Sequence, residues 1–127
     1  MTIQSSNSTD GSKRILLVED HEDTLKVMSK LLGRLGYVVT PAATCAAALS
    51  AAQGQPFDLV ISDLGLPDGT GVELMRELHT RYRLTGIALT GYGADEDVKS
   101  TQDAGFVDHL VKPVDFDKLQ QAVGKAV

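Results

Sequence analysis

Five short apolar runs alternate with five longer amphipathic ones, and this alternation limits the fold more than any other feature of the chain. Ile15–Val18 is a continuous β-type run. Leu25, Met28, Leu31, Leu32 and Leu35 then recur at helical spacing, with Gly36 suited to end that helix. Tyr37–Thr40 reads as a second strand stopped by Pro41, and Thr44–Gln53 as an alanine-rich helix ended near Gly54. Phe57–Ser62 is the third strand, and Val72, Met75, Leu78 and Tyr82 mark the third helix. Gly86–Thr90 is the fourth strand. Ala94–Ala104 is a helix poor in large apolar residues, with Val98 the main one. Phe106–Val111 is the fifth strand, and Leu119, Ala122, Val123 and Ala126 stripe the last helix.

The order is βα repeated five times. The first, third and fourth strands are nearly all apolar, as strands covered on both faces are. Right-handed crossovers then place helices on both faces of a doubly wound parallel five-stranded sheet, an α/β fold. A chain of 127 residues with 43% hydrophobic content supplies one such domain and its core. Residues 1–12 are polar and Ser-rich, lack the apolar segment of a secretory signal, and read as a disordered tail or linker before a domain at 13–127. No apolar run approaches the ~20 residues of a membrane helix, so no membrane insertion is expected and the cytoplasm is the simplest compartment.

The net charge is −5, with 17 acids against 12 bases, which argues against a nucleic-acid or anionic-membrane surface. Cys45 is the one cysteine, so an internal disulfide and a cysteine-based zinc site are excluded; it is expected only to pack.

In a doubly wound sheet, ligands bind outside the carboxyl ends of the strands. The first strand ends in Glu19-Asp20 and the third in Asp63. The fourth ends in Thr90, and Lys112-Pro113 follows the fifth. Three acids, a hydroxyl and an ammonium thus fall on one sheet edge. Two carboxylates 4 Å apart repel by about 4 kcal/mol at an effective dielectric of ~20. Lys112 can neutralise one, and a hard divalent cation such as Mg²⁺ would do more. Taken singly, each residue has a plainer role. Asp20 and Asp68 suit caps or turns, Thr90 an ordinary strand position, and Lys112 a solvated turn. His21, Glu22 and Asp23 suit a charged first helical turn. Four strand ends sharing such residues by coincidence is the weaker account.

The stretches "ILLVEDHED", "DLVISDLGLPDGTG", "IALTGYG" and "HLVKPVD" occur in the order of a known family. Over about residues 13–127 the chain resembles the receiver domain of two-component response regulators. The wording "LTGYG…DAGFVDHLVKPVDFDKL" is similar to receiver modules of hybrid sensor histidine kinases. The resemblance implies a flavodoxin-like sheet with strand order 2-1-3-4-5. It implies that Asp63 accepts a phosphoryl group, and that Glu19, Asp20, Asp63 and the main-chain carbonyl of Gly65 hold Mg²⁺. Thr90 and Lys112 would contact the phosphoryl oxygens, and the Lys112–Pro113 bond would be cis. The donor would be a histidine kinase or a histidine phosphotransfer domain. The readout, and any homodimer, would use the face of the fourth helix, fifth strand and fifth helix. The resemblance thus implies a phosphoacceptor switch with autocatalytic phosphotransfer and autodephosphorylation rather than a turnover enzyme.

Two features depart from the family pattern. His109 stands where an aromatic switch residue is usual. Gly65 and Tyr92 occupy the positions that tune dephosphorylation, and together they suggest a long-lived phosphoryl state. A phosphatase of the haloacid dehalogenase type would need a second aspartate where Gly65 stands. A dinucleotide-binding fold would need G-x-G-x-x-G after the first strand. A non-phosphorylated interaction module has no support, since every residue of the constellation is present.

Overall fold

The computed structural model of the protein describes residues 12–91 and 98–127. Strands β1 (Arg14–Val18), β2 (Val38–Ala42), β3 (Leu59–Asp63), β4 (Gly86–Thr90) and β5 (Phe106–Val111) form one parallel sheet in the order β2-β1-β3-β4-β5. Helices α1 (Glu22–Arg34), α2 (Cys45–Gly54), α3 (Gly71–Tyr82), α4 (Val98–Ala104) and α5 (Phe116–Ala126) follow the strands in turn. This is the (βα)5 order read from the sequence. Tyr92 and the start of the helix expected from Ala94 lie outside the described residues. No described helix is long and apolar enough to cross a membrane.

Alternation along the central strands builds two cores. Leu16, Val18, Val60 and Ala88 pack with Ala48, Ala52, Leu74, Met75, Leu78 and Ala104, from α2, α3 and α4. Ile15, Leu17, Leu59, Ile61, Ile87 and Leu89 pack on the other face with Met28 and Leu32 of α1 and with Leu119, Ala122 and Val123 of α5. Each fully buried Leu or Ile contributes about 1.5–3 kcal/mol of transfer free energy. Strands hemmed in on both faces must therefore be apolar throughout, and the first, third and fourth apolar runs are those strands.

Between β4 and β5 the register shifts by one residue: Gly86 pairs with Phe106, but Ile87 pairs with Asp108. As a result Phe106 and Leu110, of equal parity, face opposite cores. The shift turns the end of β5, and with it Lys112, toward the side that carries α1 and α5.

Three boundaries differ from the sequence reading. Pro41 does not stop β2 but lies within it, paired with Leu17. β2 is an edge strand bonded only to β1, so the missing N–H faces away from any ladder. β3 starts at Leu59 and runs through Asp63, so the acid is the last residue of the strand rather than the first after it. Beyond it, Gly65–Leu66 and Gly69–Thr70 form a two-residue antiparallel ribbon that periodicity could not reveal.

Candidate functional site

Glu19, Asp63 and Lys112 each lie two residues beyond a strand residue of the α1/α5 core, namely Leu17, Ile61 and Leu110. Strand alternation therefore aims all three side chains to the same side of the sheet edge. Lys112 is held there by its own N–H, which donates to the Thr90 carbonyl at 2.8 Å. Its ammonium donates to Asp63 Oδ2 at 2.8 Å and sits 2.5 Å from Glu19 Oε1. Only 21% of the lysine side chain is exposed, so the plainer reading of a solvated lysine fails. Burial works against its charge, but its hydrogen bond to Asp63 and the close charges of Asp63 and Glu19 outweigh that and raise its pKa. The peptide bond from Lys112 to Pro113 is cis.

Glu19 is fully buried, which an ionised carboxylate tolerates only with partners. Its Oε2 accepts the backbone N–H of His21 at 2.9 Å and meets His21 Nδ1 at 2.9 Å. Its Oε1 has the close charge contact with Lys112 but no hydrogen bond of acceptable geometry. Asp20 is exposed beside it, and His21 Nδ1 lies 3.6 Å from Asp20 Oδ1. Glu19, Asp20, His21 and Asp63 each offer a ligand atom within 4.8 Å of the others. Three carboxylates against one ammonium leave the edge negative. Three carboxylates gathered as oxygen donors, with a single ammonium among them, fit a hard divalent cation.

His21 is therefore more than a residue of a charged first turn. It is the N-cap of α1, yet its side chain makes no capping bond. The ring turns back onto Glu19, and the hydrogen bond and charge of Glu19, then the charge of Asp20, raise its pKa above the ordinary value.

On Asp63, Oδ2 is taken by Lys112, while Oδ1 receives only a long 3.4 Å contact from Gly65 N–H. Gly65 is exposed in the small ribbon. Thr90 is buried at the end of β4, and its hydroxyl donates to the Leu110 carbonyl at 3.4 Å. His109 lies exposed on β5, with its N–H bonded to Asp108 Oδ1. The structure thus gathers Glu19, Asp20, Asp63 and Lys112 closely. Thr90 stands at the next strand end, and His109 stands away from the cluster.

Asp68 and Gly71 complete the loop after Asp63. Asp68 caps a helix, but not the one it precedes: its carboxylate accepts Cys45 N–H at 2.8 Å and Ala46 N–H at 3.1 Å, at the start of α2. Gly71 N–H donates to the Leu64 carbonyl at 2.9 Å and closes the loop back onto β3. The "PDGTG" run signals a turn, but nothing in it names α2 as the partner. Cys45, half-buried beneath this loop, has its thiol pushed up to about 11, first by burial and then by the charge of Asp68. It stays protonated and unreactive at neutral pH, as a packing residue does.

The family described as the response regulator receiver domain matches residues 15–124. The response regulator protein PilR of Pseudomonas aeruginosa is 32% identical over 116 residues, which are 91% of this chain and 26% of PilR. An uncharacterized 14.6 kDa protein of Leptolyngbya boryana is 38% identical over 104 residues, which are 80% of this chain and 79% of that protein. The chain thus spans about a quarter of the first relative and most of the second. Among solved structures, the chemotaxis response regulator CheY4 of Vibrio cholerae superposes with a TM-score of 0.84 at 28% identity, covering 91% of this chain and 99% of its own. With matching fold, strand order and sequence over nearly its whole length, the chain belongs to the response regulator receiver domain family.

Proposed function

We propose that Asp63 accepts a phosphoryl group from a phosphohistidine on a histidine kinase or a histidine phosphotransfer domain. The observation that carries this reading is the grip of Lys112 on one oxygen of Asp63, at 2.8 Å, while the other is only loosely held. Oδ1 attacks phosphorus in line as the P–N bond of the donor breaks, and the imidazole nitrogen keeps the electron pair. Most of the work is positioning and charge neutralisation. Lys112 is close enough to pass from Asp63 Oδ2 to a phosphoryl oxygen, and Thr90 offers a hydroxyl at the neighbouring strand end.

Glu19, Asp20, Asp63 and the Gly65 carbonyl would hold Mg²⁺, which when bound supplies further neutralisation of charge on the transferring oxygens. The acyl phosphate is later hydrolysed by water. Gly65 offers that water no side chain to guide it, which favours a slow reaction. Thr90 turning from Leu110 toward the phosphoryl group frees space behind it for His109, and the face of α4, β5 and α5 reads out the change. The domain works in the cytoplasm as a switch within a two-component pathway.

The test is intact-mass spectrometry with acetyl phosphate and Mg²⁺. The wild type should gain one phosphoryl group. Asp63→Asn should keep its fold and gain none, and should not bind beryllofluoride. Undiminished labelling of Asp63→Asn would overturn the assignment.

A further inference from the structure

We propose that Asp68 is a positioning residue for phosphoryl transfer to Asp63: it ties the loop beyond the acceptor to the first turn of α2 and so sets where the Gly65 peptide stands beside the attacking oxygen. The inference rests on the reading of Asp63 as phosphoacceptor, and it concerns what holds the acceptor's surroundings in place.

Three observations carry it. The first is the tether itself. Asp68 Oδ1 accepts the Cys45 N–H at 2.8 Å and Oδ2 accepts the Ala46 N–H at 3.1 Å, so both oxygens bind one helical turn. Two bonds to one planar carboxylate fix orientation as well as distance. The second is the packing beneath the tether. Cys45 Sγ lies 3.2 Å from where a Cβ on residue 69 would stand and 3.9 Å from the Thr70 carbonyl oxygen. The returning arm of the ribbon thus rests on the same turn of α2. The third is what the ribbon carries. Gly65 pairs with Thr70 and Leu66 with Gly69, which leaves Pro67 and Asp68 as the tip. Gly65 has no side chain to anchor it, and the space where its Cβ would point is open. Its peptide is therefore placed by the ribbon, and its N–H is the group that approaches Asp63 Oδ1, at 3.4 Å.

A plain helix cap is the competing account. A helix leaves the N–H groups of its first turn without partners inside it. In α2 the N-cap, Thr44, already does a cap's usual work, its hydroxyl accepting the Ala47 N–H at 3.0 Å. Asp68 takes Cys45 and Ala46, from across the sheet edge. Such bonds stabilise α2 and hold the loop together, and the loop is the end with chemistry beside it. Lys112 fixes Oδ2 of Asp63, so the freedom left to that carboxylate lies on the side of Oδ1 and Gly65. Leu66 packs on the α2/α3 core and anchors one arm of the ribbon, while Asp68 anchors its tip. Without Asp68 the ribbon keeps the Leu66 contact but can swing about it and carry Gly65 away from Asp63. A misplacement of about 1 Å in a positioned group can cost ~100-fold in rate.

The experiment compares two caps of one helix. Wild type, Asp68→Ala, Asp68→Asn, Thr44→Ala and Asp63→Asn are each treated with acetyl phosphate at saturating Mg²⁺, and labelling is followed in time by intact-mass spectrometry. Titration calorimetry with beryllofluoride and Mg²⁺ reads the geometry of the same site without phosphoryl transfer, and thermal melts record the stability each variant loses. Asp68→Ala should slow labelling by about tenfold and weaken beryllofluoride binding by a similar factor. Asp68→Asn keeps one acceptor oxygen for α2 and should recover part of both losses. Thr44→Ala removes the other cap of the same helix and leaves the tether in place, so it should melt lower yet label and bind as the wild type does. An Asp68→Ala that melts lower but labels and binds like the wild type would overturn the proposal and leave Asp68 a helix cap. So would a Thr44→Ala slowed as much as Asp68→Ala, since the fault would then lie in α2. If Asp68→Ala does not fold, Asp68→Asn is compared with Thr44→Ala in the same way, and equal labelling rates overturn the proposal. Label on Asp63→Asn overturns the reading of Asp63 and takes this inference with it. An unlabelled Asp63→Asn beside an Asp68→Ala of wild-type rate overturns the role of Asp68 alone.

Discussion

The backbone of Gly71 passes so close to Asp63 that a Cβ on residue 71 would sit 2.2 Å from the Asp63 carbonyl oxygen and 3.0 Å from Leu64 Cα. Both neighbours are main chain, so neither can rotate away. The first residue of α3 is thereby pressed against the last residue of β3, which fixes the loop between them. Gly71→Ala should lower stability by about 2–3 kcal/mol, at the upper end for overpacking, and slow phosphoryl transfer by displacing Asp63. Gly33 in α1 has open space around its Cβ position. Gly33→Ala should therefore raise stability by about 0.5–1 kcal/mol. Urea unfolding of the two variants checks both signs.

Asp68 ties the same loop to α2 with its carboxylate, and the N–H groups of Cys45 and Ala46 hold its pKa below the usual carboxylate range. A depressed native pKa gives stability that is present above the unfolded value, about 3.9, and lost as pH falls through the native one. Asp68→Ala should lower the melting temperature by a few degrees at pH 7. The gap between variant and wild type should be constant down to about pH 4 and close below it. A gap that persists unchanged at pH 2 would show that the charge is not its source.

Lys112 is the one lysine or arginine in contact with buried Glu19 among the described residues. Removing it leaves a carboxylate with 0% exposure beside two others. Lys112→Ala should cost about 3 kcal/mol, the scale of breaking a buried pair by deleting one partner. Glu19→Gln in the Lys112→Ala background should return part of the loss, since the uncompensated charge is then gone. A double-mutant cycle by chemical denaturation measures the coupling, and strictly additive effects would count against it.

The fold was legible because burial on both faces writes itself into composition. β1, β3 and β4 could be read as apolar runs, and the strand-end acids stood out against them. Edge positions were less legible. Pro41 looks like a stop signal, yet at an edge a missing N–H costs nothing, and only the sheet order reveals which strand is the edge. The candidate site divides in the same way. Glu19, Asp63 and Lys112 follow from strand ends and alternation. Asp68, His21 and Gly71 owe their roles to neighbours distant in sequence or to a loop path. Asp68 finds its partners 23 residues away at Cys45 and 22 away at Ala46, and no local pattern encodes that. His21 lies next to the acids in sequence. Its side-chain direction, back toward Glu19 rather than onto its own helix, is set by the strand-to-helix turn.

The repulsion among Glu19, Asp20 and Asp63 makes a prediction that does not depend on phosphorylation. Lys112 touches Glu19 and Asp63, and no contact between it and Asp20 brings that third carboxylate into balance. A divalent cation held by the cluster would bind the native state and not the unfolded chain, and would stabilise by about 2.7 kcal/mol at one hundred times its dissociation constant. Millimolar Mg²⁺ should raise the melting temperature of the wild type, by several degrees at saturation for a domain of this size. Asp20→Asn removes one ligand and one repelling charge together, and the two effects have opposite signs. Without metal the variant should melt at or above the wild type, because the remaining carboxylates repel less. With Mg²⁺ the order should reverse, because the wild type gains and the variant does not. Thermal scans of both proteins with Mg²⁺ and with a chelator give the four melting temperatures needed. A variant that responds to Mg²⁺ as the wild type does would place the cation elsewhere on the molecule.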